Sequence, residues 1–304
     1  MRHGLLTLAL FAMGCGSEEE KASNTDTTDS ATTTSASTTP WADHPILSGD
    51  FKNVAHRGGG LLAPENTTAA FDVAQSVGAD MLEIDVWSTS DGVLVLMHDD
   101  TVDRTTDGKG AIKSMTFDEV QGLDAGYSFT MDDGKTFPHR GTGVTVPALR
   151  NVLESYPDML FSLEIKQQSP PIVEPLIALL DETGMRNKVV IGAFEDAVLY
   201  DFREAAPDVP TSLGYIEGMN IYLLPENQEA TYEAPAPYFA APLEYQGLTL
   251  KEPDVSKTAR VGLTMHVWTI NSAEDMDMLL DWGVSGIITD DPALLQERLD
   301  ARGL

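Results

Sequence analysis

Four short stretches carry side chains capable of proton transfer and charge stabilisation: His56-Arg57, Glu83-Ile84-Asp85, His98-Asp99 and Glu164-Ile165-Lys166. On an extended strand, residues two apart project from the same face, so Glu83 and Asp85 share one face and Glu164 and Lys166 another. Three carboxylates crowded together repel one another and stay partly protonated unless a cation compensates. Oxygen-only ligation favours a hard divalent ion, Ca²⁺ or Mg²⁺, over zinc. Imidazole exchanges protons near neutral pH, which gives His56 and His98 a chemical use beside such a cluster. Each stretch alone is a weak signal, because Glu-x-Asp pairs are common on strands. Their joint placement at the ends of successive strands carries the weight.

The pattern of elements around them supplies that placement. Strand-like runs occur at 51–56, 81–87, 93–98, 159–165, 188–194, 211–215, 238–241, 264–270 and 286–289. Helical periodicity falls between them at 67–77, 149–155, 174–183, 198–205, 273–282 and 294–299. Alternating strands and helices predict parallel pairing with helices outside. No glycine fingerprint for nucleotide phosphates follows any strand, so a Rossmann sheet is the weaker choice. The expected fold is an α/β (β/α)8 TIM barrel, whose functional groups gather at the C-terminal ends of its strands. Residues 99–146 are polar and glycine-rich and too long for an ordinary loop, so they are expected to form a small inserted subdomain over the site. The segment 217–237 shows no clear pattern.

Several ordered motifs extend these observations: Val54-Ala-His-Arg-Gly58, Pro64-Glu-Asn-Thr67, Glu83-Ile-Asp85, His98-Asp-Asp-Thr101, Arg104-Thr-Thr-Asp-Gly108, Leu163-Glu-Ile-Lys166, Val267-Trp-Thr-Ile-Asn271 and Gly286-Ile-Ile-Thr-Asp290. In this order, across nearly all of residues 51–299, the chain resembles the glycerophosphodiester phosphodiesterase family. Departures are slight: Ile84 stands where leucine is common, Ala193-Phe194 where Ser-Phe is frequent, and the stretch from Arg57 to Ala63 is a little long. The resemblance implies hydrolysis of a diester such as glycerophosphocholine to an alcohol and sn-glycerol 3-phosphate. It implies His56 and His98 as the acid/base pair, with their individual roles open, and Glu83, Asp85 and Glu164 as metal ligands. Arg57 and Lys166 would contact the phosphate, and the substrate's glycerol hydroxyl would attack first to give a cyclic phosphate that water opens. Trp268 either lines the substrate site or packs. Asp99 either orients His98 or starts the next loop. Glu65-Asn66 are expected to cap the following helix, with Glu65 a candidate supporting group. His139 reads as a solvated loop residue and His266 as a barrel-wall residue.

The opposing counts of 19 Lys+Arg and 48 Asp+Glu give a formal charge of −29, and no basic stripe interrupts it. Such a chain repels nucleic acid and would need local positive charge to bind an anionic substrate. Cys15 is the only cysteine, which rules out an internal disulfide or a cysteine metal cage. It follows a positively charged start and an apolar run from Gly4 to Met13, too short to span a membrane. Ala12-Met13-Gly14-Cys15 resembles a bacterial lipobox, which implies cleavage before Cys15 and its lipidation. The expected organisation is a signal over 1–15, a Ser/Thr-rich tether over 16–45 and a catalytic barrel over 46–304. An extracytoplasmic enzyme is implied, lipid-anchored to a bacterial membrane or secreted. Gly16 after the cysteine favours the outer membrane, and no protein partner is inferred. Two rivals remain: a phospholipase-D-like lyase that turns lysophospholipids or sphingolipids into a cyclic phosphate, and a non-catalytic binding protein. The lyase would need an apolar surface at the mouth of the site.

Overall fold

The computed structural model describes Trp41 and residues 43–304. Cys15, the signal segment and nearly all of the expected tether lie outside the described residues. His44, placed by sequence at the tether margin, is buried, and its imidazole Nδ1 accepts the Ile46 amide at 3.4 Å. It starts a 3₁₀ turn over Pro45–Leu47 that sends Ile46 into the base of the barrel.

Parallel strands β1 (Lys52–His56), β2 (Met81–Ser88), β4 (Leu160–Ile165), β5 (Val189–Gly192), β6 (Tyr238–Pro242), β9 (Thr264–Trp268) and β10 (Gly286–Thr289) form the wall. Their cores, such as Leu82, Ile84 and Val86 or Ile287 and Ile288, are buried without alternation. That is the pattern of strands covered on both faces. Residues 211–213 complete the ring between β5 and β6. Ser212 donates to the Ile191 carbonyl and Leu213 to the Tyr238 carbonyl, each at 2.8 Å. With that short stave the barrel has eight positions, as expected from the sequence.

Helices α1 (Thr68–Ser76), α2 (Phe117–Gln121), α3 (Leu149–Ser155), α4 (Val173–Thr183), α5 (Asp196–Ala205), α6 (Tyr215–Leu223), α7 (Glu226–Glu229), α8 (Glu252–Arg260), α9 (Ala273–Trp282) and α10 (Pro292–Arg302) complete the order. Two short strands, β7 (Glu244–Tyr245) and β8 (Leu248–Thr249), pair as a hairpin after β6.

Three details add to or differ from the sequence reading. The third strand, β3 (Leu94–Leu96), is not a stave; it runs antiparallel to β2, with Val86 opposite Leu96. The tight turn at Ser90-Asp91-Gly92 permits no other pairing, because parallel strands need a long crossover. No residue of 99–146 lines the cavity described below, although Asp99 and Arg104 reach His98 and Glu65 beside it. The segment packs around a core of its own that includes Val95, Val102, Ile112 and Val120. Finally, part of the unassigned 217–237 segment is helix α6. Gly218 and Pro225 disguise the helical pattern, yet Gly218 is required there, since a Cβ would stand 2.8 Å from the Phe239 ring.

Candidate active site

Register across the barrel assembles the acidic cluster. His56 lies opposite Glu83 on β1 and β2, and Asp85 lies opposite Glu164 on β2 and β4. Glu83, Asp85 and Glu164 each offer a carboxylate oxygen within 4.8 Å of the others. Glu83 and Asp85 are buried, at 6% and 1% exposure, so their charge cannot be screened by water. Burial first, then the neighbouring Asp85 charge, pushes the Glu83 carboxyl up to about 8. Burial raises Glu164 as well, against the opposing charge of Lys166. A trio of oxygen donors held at this electrostatic cost is what a divalent hard ion would relieve.

Both predicted histidines are fixed in the same way. His56 Nδ1 lies 2.7 Å from Asp290 Oδ1, and His98 Nδ1 lies 2.9 Å from Asp99 Oδ1. A carboxylate only accepts hydrogen bonds, so each Nδ1 carries the proton and each Nε2 is left for other chemistry. His56 Nε2 lies 3.9 Å from Glu83. Burial alone would lower the His56 pKa, but the hydrogen bond to Asp290 and the charges of Glu83 and Asp290 outweigh it and raise the value. Asp290 is itself held by Asn271, whose side-chain amide donates at 2.7 Å while its carbonyl accepts the Asp290 amide at 2.9 Å.

The cations are already engaged with carboxylates. Lys166 Nζ lies 3.0 Å from Glu164 and 3.3 Å from Asp85, and these charges outweigh its burial and raise its pKa. Arg57 donates its backbone amide to Glu83 at 3.0 Å and a guanidinium N–H to Glu65 at 3.0 Å. Arg57 adopts φ 52°, which turns its amide toward the carboxylate cluster. Glu65 in turn takes a bidentate pair from Arg104 at 2.8 and 2.7 Å, and Arg104 Nε binds Asp99 at 2.7 Å. A continuous charged chain therefore connects His98, Asp99, Arg104, Glu65 and Arg57. Glu65 does not cap α1 as expected; Thr67 does, accepting the Ala70 amide, and Asn66 instead donates to Asp85 at 2.8 Å. The Asn66 side chain is committed to Asp85, whose backbone amide it also accepts at 3.2 Å.

One cavity of about 240 Å³ joins these groups, lined by His56, Arg57, Glu83, His98, Glu164 and Trp268. Asp85 and Lys166 stand directly behind its lining, in contact with Glu164 or each other. Trp268 both borders the cavity and packs against the barrel core, and its ring meets Phe194 edge-on at 6.1 Å. His266 is fully buried, with Nδ1 2.9 Å from the Tyr238 hydroxyl, and burial lowers its pKa to about 3. It is a barrel-interior residue, as expected. His139 packs edge-on against Phe129 on the separate 99–146 unit.

Residues 56–294 match the glycerophosphoryl diester phosphodiesterase family. The chain belongs to that family. It is 37% identical over 248 residues to a glycerophosphodiester phosphodiesterase of Caldanaerobacter subterraneus subsp. tengcongensis, covering 80% of this chain and 95% of the relative. A glycerophosphodiester phosphodiesterase of Bacillus subtilis is 32% identical over 263 residues, covering 83% and 88% respectively. Among solved structures, the glycerophosphodiester phosphodiesterase of Agrobacterium tumefaciens superposes with a TM-score of 0.65 at 27% identity, over 81% of this chain and 99% of that one. A phosphodiesterase of Oleispira antarctica, solved in complex with the product sn-glycerol-3-phosphate, gives 0.67 at 25% identity over 84% and 99%.

Sequence reasoning missed one central residue and undervalued two. Asp290 ends the quoted Gly286–Asp290 motif at the C-terminal tip of the last strand, the position where barrel chemistry concentrates. That placement was the available signal. Glu65 and Arg104 also lie in quoted motifs, but their mutual pairing spans 39 positions and only the fold brings them together.

Proposed function

We propose that this chain hydrolyses glycerophosphodiesters to an alcohol and sn-glycerol 3-phosphate, with His56 and His98 as its acid/base pair and a divalent cation held by Glu83, Asp85 and Glu164. Family membership supports the reaction class. The observation that carries the mechanism is the pair of aspartate-held imidazoles facing one cavity beside the carboxylate trio. The donor set is all oxygen, and the burial and then mutual repulsion that raise Glu83 fit a resident Ca²⁺ or Mg²⁺. When bound, such an ion supplies positive charge to phosphoryl oxygens and acidifies a nearby hydroxyl.

The chain's own groups account for the proton traffic. One imidazole Nε2 takes the proton of the substrate's glycerol hydroxyl as that oxygen attacks phosphorus. The other gives a proton to the departing alcohol oxygen, and the roles reverse when water opens the cyclic phosphate. Asp290 and Asp99 hold both rings in the tautomer this needs. Arg57 in the cavity lining and Lys166 directly behind it bring positive charge toward the place a phosphate would sit.

The test is release of sn-glycerol 3-phosphate from glycerophosphocholine by the purified protein, with Ca²⁺, with Mg²⁺ and after EDTA. We expect activity with at least one ion and its loss on chelation. Full activity in metal-free buffer would remove the ion from the mechanism, and no release under any condition would refute the reaction. We further propose a 1–15 signal, lipidation at Cys15 and a 16–45 tether, which would hold the barrel at the outer face of a bacterial membrane. Support comes from the lone cysteine in a lipobox-like setting.

A further inference from the structure

Arg104 does not line the cavity, yet two groups that do are held through it from different strands. It lies on the turn after His98, and that turn is pinned beneath it. Val102 is buried, and the Thr106 hydroxyl and amide donate to the Val102 carbonyl at 2.7 and 3.2 Å. From this base the guanidinium commits every nitrogen. Nε donates to Asp99 Oδ2 at 2.7 Å, Nη1 to Glu65 Oε2 at 2.8 Å and Nη2 to Glu65 Oε1 at 2.7 Å. Nη2 also reaches Asp99 Oδ1 at 3.3 Å. Beyond each carboxylate stands a cavity group. His98 Nδ1 lies 2.9 Å from Asp99 Oδ1, and Arg57 Nη1 donates to Glu65 Oε1 at 3.0 Å.

Stability does not explain this arrangement. The Arg104 side chain is 47% exposed, and ion pairs open to water add little to a fold. Geometry does explain it, because a planar fork fixes the rotation of the carboxylates it binds, as a point charge does not. Against burial, hydrogen bonds from Arg104 and His98 lower the Asp99 carboxyl to about 2. Asp99 therefore stays an acceptor and keeps the proton on His98 Nδ1. On the other arm, Glu65 Oε1 is shared between Arg57 and Arg104, so Arg104 takes up charge that would otherwise neutralise Arg57. We propose that Arg104 is a positioning residue for both cavity groups. Through Asp99 it sets the ring and tautomer of His98, and through Glu65 it leaves Arg57 able to bind phosphate. The inference rests on the roles given above to His98 and Arg57.

Arg104→Ala and Arg104→Lys test this in the Ca²⁺-loaded protein, the lysine keeping the charge but not the fork. Arg140→Ala is the control on the same 99–146 unit, since its guanidinium stacks on Phe137 at 3.7 Å and donates to the Tyr127 carbonyl. Nitrogen NMR of the labelled histidines should show His98 protonated at Nδ1 in the wild type and the control, and mixed tautomers in both Arg104 variants. Calorimetry should show affinity for sn-glycerol 3-phosphate falling about fivefold or more in those variants. Their kcat for glycerophosphocholine should fall about tenfold or more, and added guanidinium should restore part of it in Arg104→Ala. Unchanged tautomer and affinity overturn the inference while wild-type turnover spares the hydrolytic reading. A change on one arm alone overturns the shared role, and a large loss of melting temperature in both variants makes Arg104 a structural residue. Both changes in a protein whose wild type hydrolyses no diester sustain the inference and refute the hydrolytic reading.

Discussion

The two histidines matter through the atoms behind them. Asp290 is a positioning residue: it touches His56, not the cavity, and its hydrogen bond fixes which imidazole nitrogen is free. Asp290→Asn should lower kcat by about 10²-fold or more, because an amide can hold the wrong tautomer. It should also move the His56 limb of the pH–kcat/KM profile to lower pH, since the bond and charge that offset burial are gone. An unchanged profile would show that Asp290 only packs. The same pair has a stability signature. His56 is raised and Asp290 lowered relative to the unfolded chain, so the histidine contribution is complete below about pH 6.5 and is lost as pH rises through its folded value. The aspartate contribution is complete above about pH 4 and is lost as pH falls through its lowered value. His56→Ala and His98→Ala should each abolish turnover with a native circular dichroism spectrum; wild-type rates in either would overturn the acid/base assignment.

At the scale of elements, the site depends on where short segments pack. Helix α6 builds one wall of the cavity only because Gly218 lets it approach β6. The Phe239 ring it meets is buried and held edge-on by Tyr222 at 6.1 Å, so it cannot swing aside freely. Gly218→Ala should therefore cost about 1–3 kcal/mol in urea unfolding, the range for overpacking a filled site. No loss of stability would mean α6 is loosely docked. The β2–β3 hairpin has a comparable role. Its reversal returns the chain along the barrel strand and delivers His98 to the cavity from outside the ring of staves. The sequence announced both strands and the turn between them, but hydrophobic runs do not record which edge a strand pairs with.

For the whole molecule, the governing fact is an excess of 29 negative charges around a site meant for an anionic diester. Arg57, Arg104 and Lys166 soften that field, and a cation at the carboxylate trio would complete the reversal. Because the Glu83 carboxyl is raised to about 8, the folded metal-free protein holds a proton there that the unfolded chain releases near pH 4.5. Metal-free stability should thus fall as pH rises between those values, whereas Ca²⁺ or Mg²⁺ affinity should increase over pH 6–8 with uptake of the ion releasing protons. Calorimetry in buffers of different ionisation enthalpy counts those protons. No proton release and a pH-independent affinity would mean Glu83 is not a ligand. Mutation of Cys15 to alanine should abolish incorporation of labelled fatty acid and free the protein from the membrane fraction; unaltered labelling would place the anchor elsewhere.

Residue types, spacing and motif order were enough to determine a parallel barrel, an acidic cluster at its strand ends and two histidines beside it. The barrel follows from local periodicities, since alternating strand and helix patterns leave few ways to bury their apolar faces, whereas the cluster and the histidine pair rest on what the ordered motifs imply by resemblance. The tertiary structure alone decided the rest. Register set Asp85 against Glu164. The ring closed through 211–213 on a few backbone hydrogen bonds, Asp290 met a histidine 234 positions away, and one wall of the cavity formed from a helix and a hairpin. Contacts of that kind depend on distances between segments remote along the chain, and a linear pattern of side chains does not encode those distances.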